Sequence, residues 1–181
     1  MRVSIFLLSF LFSFNSFIIA QSWTQVGQDI VGEAVNDQSG RPVAISGTGT
    51  TVVIGAKYND GNGDNSGHVR VYRYSGNWTQ LGQDIDGEAA NDRSGRSVSL
   101  SSDGNTVAIG AVENDGNGNN SGHVRVYNYN GISWNQLGLD IDGITSGEYF
   151  GWSVSLSSDG SKLAIGGGEN GVGEEVRVFG F

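Results

Sequence analysis

The strongest constraint on the fold of this 181-residue chain is an internal repeat. Three matching segments begin at Trp23, Trp78 and Trp134, which lie 55 and 56 residues apart. Other positions recur in the same register: Gly40, Gly95 and Gly151; Val43, Val98 and Val154; Ile54-Gly55, Ile109-Gly110 and Ile165-Gly166. Self-similarity at such a period is typical of a repeat architecture, in which each copy is one supersecondary unit. The chain is therefore expected to build its core by packing similar units side by side.

Each copy is predicted to contain four β-strands, named A to D in chain order. In the second copy, strand A is 97–101, where apolar and small polar residues alternate. Strand B is 107–111, which is continuously apolar and so is expected to be covered on both faces. Strand C is 123–129, rich in β-branched and aromatic residues, and strand D starts at Trp134. The pattern predicts an all-β fold of β-propeller-type repeats, with about three four-stranded antiparallel blades.

Composition excludes several classes of protein. The chain has no cysteine, which excludes a disulfide scaffold, a thiolate zinc site and a thiol nucleophile. It has 10 Lys and Arg against 19 Asp and Glu, a formal charge of −9, so we expect no nucleic-acid partner. Its 30 glycines favour a turn-dense β protein over long helices.

The first twenty residues have the layout of a secretory signal peptide. Met1-Arg2 supplies a positive charge, an apolar stretch runs from Ile5, and Ala20 is a small residue at the cleavage position. The alternative is a membrane anchor, but this stretch is shorter than the roughly 20 apolar residues that a spanning helix needs. We predict a signal peptide over 1–20, blades over 21–181, a secreted or cell-surface location, and no membrane span after cleavage.

Several motifs resemble the FG-GAP repeats of integrin α-subunit propellers. The Phe-Gly of that family stands here as Phe150-Gly151, and its Gly-Ala as Gly55-Ala56 and Gly110-Ala111. Its Gly-x-Val-x-Val-Tyr is met at 67–72 and 122–127. The family's proline after Gly-Ala is missing, and two copies have Ser-Gly in place of Phe-Gly. The resemblance implies a propeller used for adhesion or recognition, and it implies no reaction.

The number of blades leaves three alternatives open. The lone D segment at 23–30 could complete the last copy, which would give three blades. Closed propellers typically have four to eight blades. The chain is then a fragment of a longer protein, a homo-oligomer in which two chains make six blades, or an open arc of three.

Strand order predicts that the B–C loops and the D–A connectors emerge on one face of the blades. These segments are the loops 57–67, 112–122 and 167–175 and the connectors 29–40, 84–95 and 140–150. They hold every Asp and Glu except Asp103 and Asp159, and their basic residues are Lys57 and Arg93. Such a face would attract cations or basic partners, although the acids could simply keep the loops solvated. We predict a non-enzymatic recognition or adhesion module that binds an extracellular protein or glycan through this acidic face.

Alternating oxygen-bearing residues in the first two B–C loops suggest calcium, which takes six to eight oxygen ligands. The candidate metal ligands are Asp60, Asn62, Asp64, Asp115, Asn117 and Asn119. The alternative is a pair of turns in which Asn and Asp bond their own backbone. The calcium loops of the resembled family occupy the A–B hairpin, which here lacks the repeated aspartates, so that role is not carried over.

The remaining candidates have structural interpretations. His68 and His123 occupy one repeat position and are interpreted as strand residues a blade apart. The three tryptophans are expected to anchor blades rather than to stack on sugars. No catalytic motif is present, so no catalytic residue and no certain cofactor is predicted. The alternatives to recognition are a self-assembling structural segment without a ligand and, least favoured, part of a polysaccharide-acting enzyme.

Overall fold

The structure, a computed structural model, describes residues 22–168 and 175–181. The predicted signal peptide over 1–20 and residues 169–174 of the third B–C loop lie outside the described residues. The described residues form strands and no helix: β1 Val43–Ile45, β2 Thr51–Ala56, β3 His68–Tyr74, β4 Trp78–Gln80, β5 Ile85–Asp86, β6 Ser94–Leu100, β7 Thr106–Ala111, β8 His123–Tyr129, β9 Trp134–Gln136, β10 Ile141–Asp142, β11 Ser153–Leu156, β12 Lys162–Gly166 and β13 Val176–Gly180.

The strands form three antiparallel sheets, which confirm the predicted repeat. Blade 1 has the order β1-β2-β3-β4, blade 2 has β6-β7-β8-β9, and blade 3 has β11-β12-β13. Strands A, B and C stand at the predicted positions in each copy. Strand D differs from the prediction, because it is split into two short strands that both pair with strand C, as β4 and β5 do with β3. Gly82, at φ +75°, lies between those two pieces.

The predicted A–B hairpins are present in all three blades. Gly104 and Gly160 take the same left-handed conformation, at φ +73°, in the hairpins of blades 2 and 3. Ser157 and Ser161 donate hydrogen bonds to Asp159, and these bonds lower the pKa of its carboxyl to about 2. The tip of the hairpin is therefore held by an ionised aspartate.

The blades are arranged side by side along their inner strands. Strand β6 packs against β1 and β2 of blade 1, and β11 packs against β6 and β7 of blade 2. One apolar cluster joins blades 1 and 2, and a second joins blades 2 and 3. Every residue of β7 is buried, as its continuously apolar sequence predicts. The three sheets form an open propeller-type array, which is the predicted fold class.

Glycines at the end of strand B allow neighbouring blades to approach closely. A Cβ atom added at Gly110 would lie well inside van der Waals contact with the backbone oxygen of Gly151 in the next blade. Gly55 has the same relation to Gly95 one blade earlier. The Ser97 hydroxyl also donates a 2.6 Å hydrogen bond to the Gly151 oxygen. The Gly-Ala and Phe-Gly motifs therefore meet at the junction between blades.

One alternative placed the first D segment in the last blade. The structure shows that it does not complete that blade. Residues 22–30 form no strand, and Trp23 is fully exposed. The segment lies instead against blade 1, because the Trp78 indole donates a 2.8 Å hydrogen bond to the Val26 oxygen. The side chain of Gln28 also bonds the backbone of Trp78. In the part of the chain that the structure describes, blade 3 has three strands and β13 is an unpaired edge.

Trp134 anchors two neighbouring blades, as predicted, and Trp78 anchors the first D segment to blade 1. Trp134 is 3% exposed and donates a 2.7 Å hydrogen bond from its indole nitrogen to the backbone oxygen of Leu81, which lies between β4 and β5 of blade 1. Its ring centroid lies 5.2 Å from that of Tyr129, and Trp78 has the same relation to Tyr74. The expectation is wrong for Trp23, whose side chain is fully exposed.

Candidate functional site

The B–C loops and D–A connectors meet on one side of the blades, as strand order predicts, and this surface is here called the loop face. In blade 1 the connector donates backbone hydrogen bonds to the loop, from Asn91 to Asp64 at 2.8 Å and from Arg93 to Asn65 at 3.2 Å. The Asn62 amide donates in return to the Gly87 oxygen at 2.8 Å. Blade 2 repeats this arrangement. The loops are therefore held in place by the connectors.

Some acids of the loop face are buried and have structural partners. Asp37 accepts a 2.9 Å hydrogen bond from Asn59, and Asp92 accepts one of 3.1 Å from Asn114 in the next copy. All four side chains belong to residues that are less than a tenth exposed. Each bond ties a B–C loop to the connector that precedes its own blade. These carboxylates stabilise the face and are not available at its surface.

The calcium candidates are engaged in turns of their own loops. Asp60 accepts a 2.7 Å hydrogen bond from the Asn65 backbone, and Asp115 accepts one of 2.8 Å from Asn120. Asn62 points its amide, a donor, at a connector carbonyl, and Asn117 does the same. The exposed residues Asp64 and Asn119 complete the candidate set. These bonds close each loop through its own backbone, as the alternative of Asp- and Asn-stabilised turns requires, and calcium binding here stays a prediction.

These turn bonds lead to a direct test. Substituting Asp60 or Asp115 with alanine is expected to lower the free energy of unfolding by about 1 kcal/mol, because one backbone N–H loses its acceptor. The loss should be the same in calcium and in a calcium-free buffer, measured by urea denaturation followed by circular dichroism. A stabilisation by calcium that is present in the wild type and lost in both variants would instead establish a calcium site.

The structure brings together a histidine and two carboxylates that the sequence analysis did not group. At the start of β3, the buried His68 has its Nδ1 atom 3.7 Å from Glu33 Oε2 and 3.8 Å from Asp84 Oδ2. Glu33 comes from the preceding connector, and Asp84 follows β4. Arg70, two residues after the histidine, lies 3.4 Å from the other oxygen of Glu33.

The next blade repeats this group with the same roles. His123 Nδ1 at the start of β8 lies 3.8 Å from both Glu88 Oε2 and Asp140 Oδ2. Arg125 lies 3.5 Å from Glu88 Oε1. These two groups, Glu33–His68–Asp84 and Glu88–His123–Asp140, are here called the histidine clusters. In each, three potential ligand atoms lie within 4.8 Å of one another.

The electrostatics of the two clusters follow from burial. Burial is the largest effect on the pKa of His68 and of His123, and it lowers both. Both rings therefore favour the neutral form near pH 7. Burial, and next to it the Asp84 carboxylate, raises the pKa of Asp86, which pairs with His68 across the sheet. Each cluster can thus offer a neutral imidazole nitrogen next to two carboxylates.

The loop face carries more positive charge than the sequence indicates. Arg70 and Arg125 reach it from strand C, although they lie outside the loops and connectors. Arg177 of β13 pairs with the buried Glu148. Within the face, Arg93 pairs with Glu113 at 2.6 Å. The acidic face is therefore partly neutralised at its base and stays acidic at its surface.

The fold and the repeated site define a β-propeller-type repeat module. The model of the FG-GAP repeat family matches residues 32–72 and 85–127, each from a D–A connector through strand C. The first two blades of this chain are therefore FG-GAP repeats. No curated protein matches the sequence. In the described part of the chain, no helix has the length and apolar character needed to cross a membrane.

A solved structure supports the same fold class. The structure of Kuenenia stuttgartiensis hydrazine synthase is similar to this chain with a TM-score of 0.50 and 13% sequence identity. The match covers 78% of this chain and 45% of the other, so this chain spans less than half of that protein. At this identity the similarity concerns the fold alone.

Proposed function

We propose that this protein is a secreted, non-enzymatic recognition module that binds an extracellular protein or glycan through its loop face. The FG-GAP repeats support this proposal, because the family is typically extracellular. The signal-peptide pattern of residues 1–20 supports the same location.

The observation that carries the proposal is a set of exposed carboxylates on a fixed backbone. Asp60, Asp64 and Asp115 are exposed at the tips of the B–C loops, while buried bonds such as Asn59–Asp37 hold the loops beneath them. A preorganised loop loses less conformational entropy when a ligand binds to it. Basic groups of a protein and hydroxyl groups of a glycan both fit such carboxylates.

Charge reversal at two loop tips tests the proposal. The double variant Asp64→Lys/Asp115→Lys is expected to weaken binding by at least tenfold, because each substitution removes a carboxylate acceptor and puts a positive charge in its place. The probes are a glycan array and immobilised extracellular-matrix proteins, with the wild type measured first.

The matched control reverses the two aspartates of the opposite face. Asp103→Lys/Asp159→Lys changes the net charge by the same amount and also removes carboxylates that accept turn hydrogen bonds. It should retain binding if the loop face is the binding surface. Equal losses in both double variants, or no loss in the first, would contradict the proposal.

A second function, self-assembly without a ligand, is favoured by the free edge of blade 3. Val176 and Val178 of β13 are each 69% exposed, and Phe181 is 85% exposed. Next to this edge, a groove between blades 2 and 3 is lined by apolar side chains that include Leu139 and Phe179. Unpaired edges and apolar patches promote association. Sedimentation of the chain without residues 1–20 tests this function, and a stable monomer would count against it.

A further inference from the structure

We propose that the two histidine clusters are equivalent binding sites for a divalent transition-metal cation such as Zn²⁺ or Mn²⁺. The sites are separate from the calcium candidates, which lie at the loop tips. They are also separate from the A–B hairpins. Each site would take one imidazole nitrogen and two carboxylate oxygens from this chain.

The distances in the clusters suit a shared cation better than direct hydrogen bonds. The imidazole nitrogens lie 3.7 to 3.8 Å from the carboxylate oxygens, beyond the usual range of a hydrogen bond. Two ligands of a tetrahedral zinc ion, each bonded at about 2.1 Å, are about 3.4 Å apart. The imidazole–carboxylate distances are therefore only a few tenths of an ångström longer than those between the ligands of a zinc ion.

Neighbouring side chains orient both carboxylates of the first cluster. Gln80 donates a 2.5 Å hydrogen bond to Asp84 Oδ1, which leaves Oδ2 facing His68. Arg70 lies 3.4 Å from Glu33 Oε1, which leaves Oε2 facing the same imidazole. Partners of this kind are what hold the ligands of known metal sites in position.

The second cluster has the same supporting residues. Gln136 donates a 2.6 Å hydrogen bond to Asp140 Oδ1, and Asp140 Oδ2 faces His123. Arg125 lies 3.5 Å from Glu88 Oε1, and Glu88 Oε2 faces His123. The repeat thus preserves the two supporting residues together with the three candidate ligands.

Burial of the imidazole is the second observation that points to a ligand. The side chains of His68 and His123 are 2% and 1% exposed, and neither Nδ1 is within hydrogen-bond distance of the carboxylates that it faces. A cation at Nδ1 would give that nitrogen a strong partner between the two carboxylates.

The ligand chemistry and the access route select the metal class. Imidazole suits zinc and other transition metals, carboxylates suit manganese as well, and calcium prefers oxygen alone. Glu33 and Glu88 are 47% and 43% exposed at their side chains, so a cation can enter from the solvent side. Each set has two carboxylate ligands for a divalent cation, and the neighbouring arginine offsets part of their negative charge.

Blade 3 serves as an internal control because its cluster residues differ. Ile144 stands at the repeat position of Glu33 and Glu88, and Glu175 stands at that of the histidines. Arg177 there lies 3.2 Å from Glu175, which makes an ion pair in place of the cluster. The chain should therefore bind two cations with similar affinity.

The test is metal titration of the full chain after treatment with a chelator. Isothermal titration calorimetry with Zn²⁺ and with Mn²⁺, and elemental analysis after dialysis, are expected to give two ions per chain for at least one of these metals. Glu33→Gln should bind one ion and Glu33→Gln/Glu88→Gln should lose at least tenfold in affinity. Both glutamates are partly exposed, so the variants should fold, which circular dichroism checks.

The control variant is Asp64→Asn/Asp115→Asn, which removes two carboxylates of the loop tips and leaves the clusters intact. It should bind two ions as the wild type does. Binding that is unchanged in Glu33→Gln/Glu88→Gln, or equally weakened in the control, would overturn the proposal. A wild type that binds neither Zn²⁺ nor Mn²⁺ would overturn it as well.

Discussion

Replacing Trp134 with alanine is expected to lower the free energy of unfolding by about 3 to 5 kcal/mol, the cost of removing a large buried aromatic side chain. The ring is 3% exposed, it packs against Tyr129, and its indole nitrogen bonds Leu81 of the neighbouring blade. The substitution therefore opens a cavity between blades 1 and 2 and leaves the Leu81 carbonyl without this donor. Urea denaturation followed by far-ultraviolet circular dichroism measures the change.

The other two repeat tryptophans provide graded controls. Trp78 is half-buried and bonds a segment that forms no strand, so Trp78→Ala should cost less than Trp134→Ala. Trp23 is fully exposed, and Trp23→Ala should change stability by no more than about 0.5 kcal/mol. Equal losses at the three positions would show that the tryptophans do not act through the junctions between blades.

The repeat and strands A to C could be predicted from the sequence because the same residue pattern recurs in each copy. Alternation identified strand A, and continuous apolar character identified the buried strand B. The same register in three copies reduced the ambiguity that a single short strand leaves. The glycine motif needed coordinates for its explanation, since the backbone that excludes a side chain at Gly110 belongs to the next blade.

The position of the first D segment could not be predicted, because its sequence fits two places equally well. The residues from Trp23 match the D strands, and the last copy lacks such a strand. In the structure the segment takes the place that residues 81–83 take against Trp134, one blade earlier. Sequence similarity between repeats identifies the segments that are equivalent, but it does not show which neighbour each segment contacts.

Sequence analysis missed the histidine clusters because it compared equivalent positions of different repeats and not different positions within one repeat. His68 and His123 were compared with each other, and they do lie in separate blades. Their partners are acids at two other repeat positions, one in the preceding connector and one between the two pieces of strand D. The signal in the sequence was that Glu33, His68 and Asp84 recur together as Glu88, His123 and Asp140. The acidic loop tips were easier to see because their residues are adjacent in the chain.

Gly110→Ala is expected to lower the free energy of unfolding by about 3 kcal/mol, the upper part of the range for overpacking a rigid site. The new methyl group would overlap the Gly151 backbone oxygen and the Ser97 hydroxyl. These two groups are joined by a 2.6 Å hydrogen bond, so the methyl group would also separate the pair. Thermal and urea denaturation would measure the loss.

Gly131→Ala separates this steric effect from the backbone effect of losing a glycine. Gly131 has φ +99°, and a Cβ atom there would meet nothing within 4 Å. Its substitution should cost about 1 kcal/mol, from the left-handed backbone alone. Gly110 is not in that region of φ, so a larger loss at Gly110 must come from the approach of the next blade. If the two variants lose the same stability, blades 2 and 3 do not meet as closely as the Gly110–Gly151 contact requires.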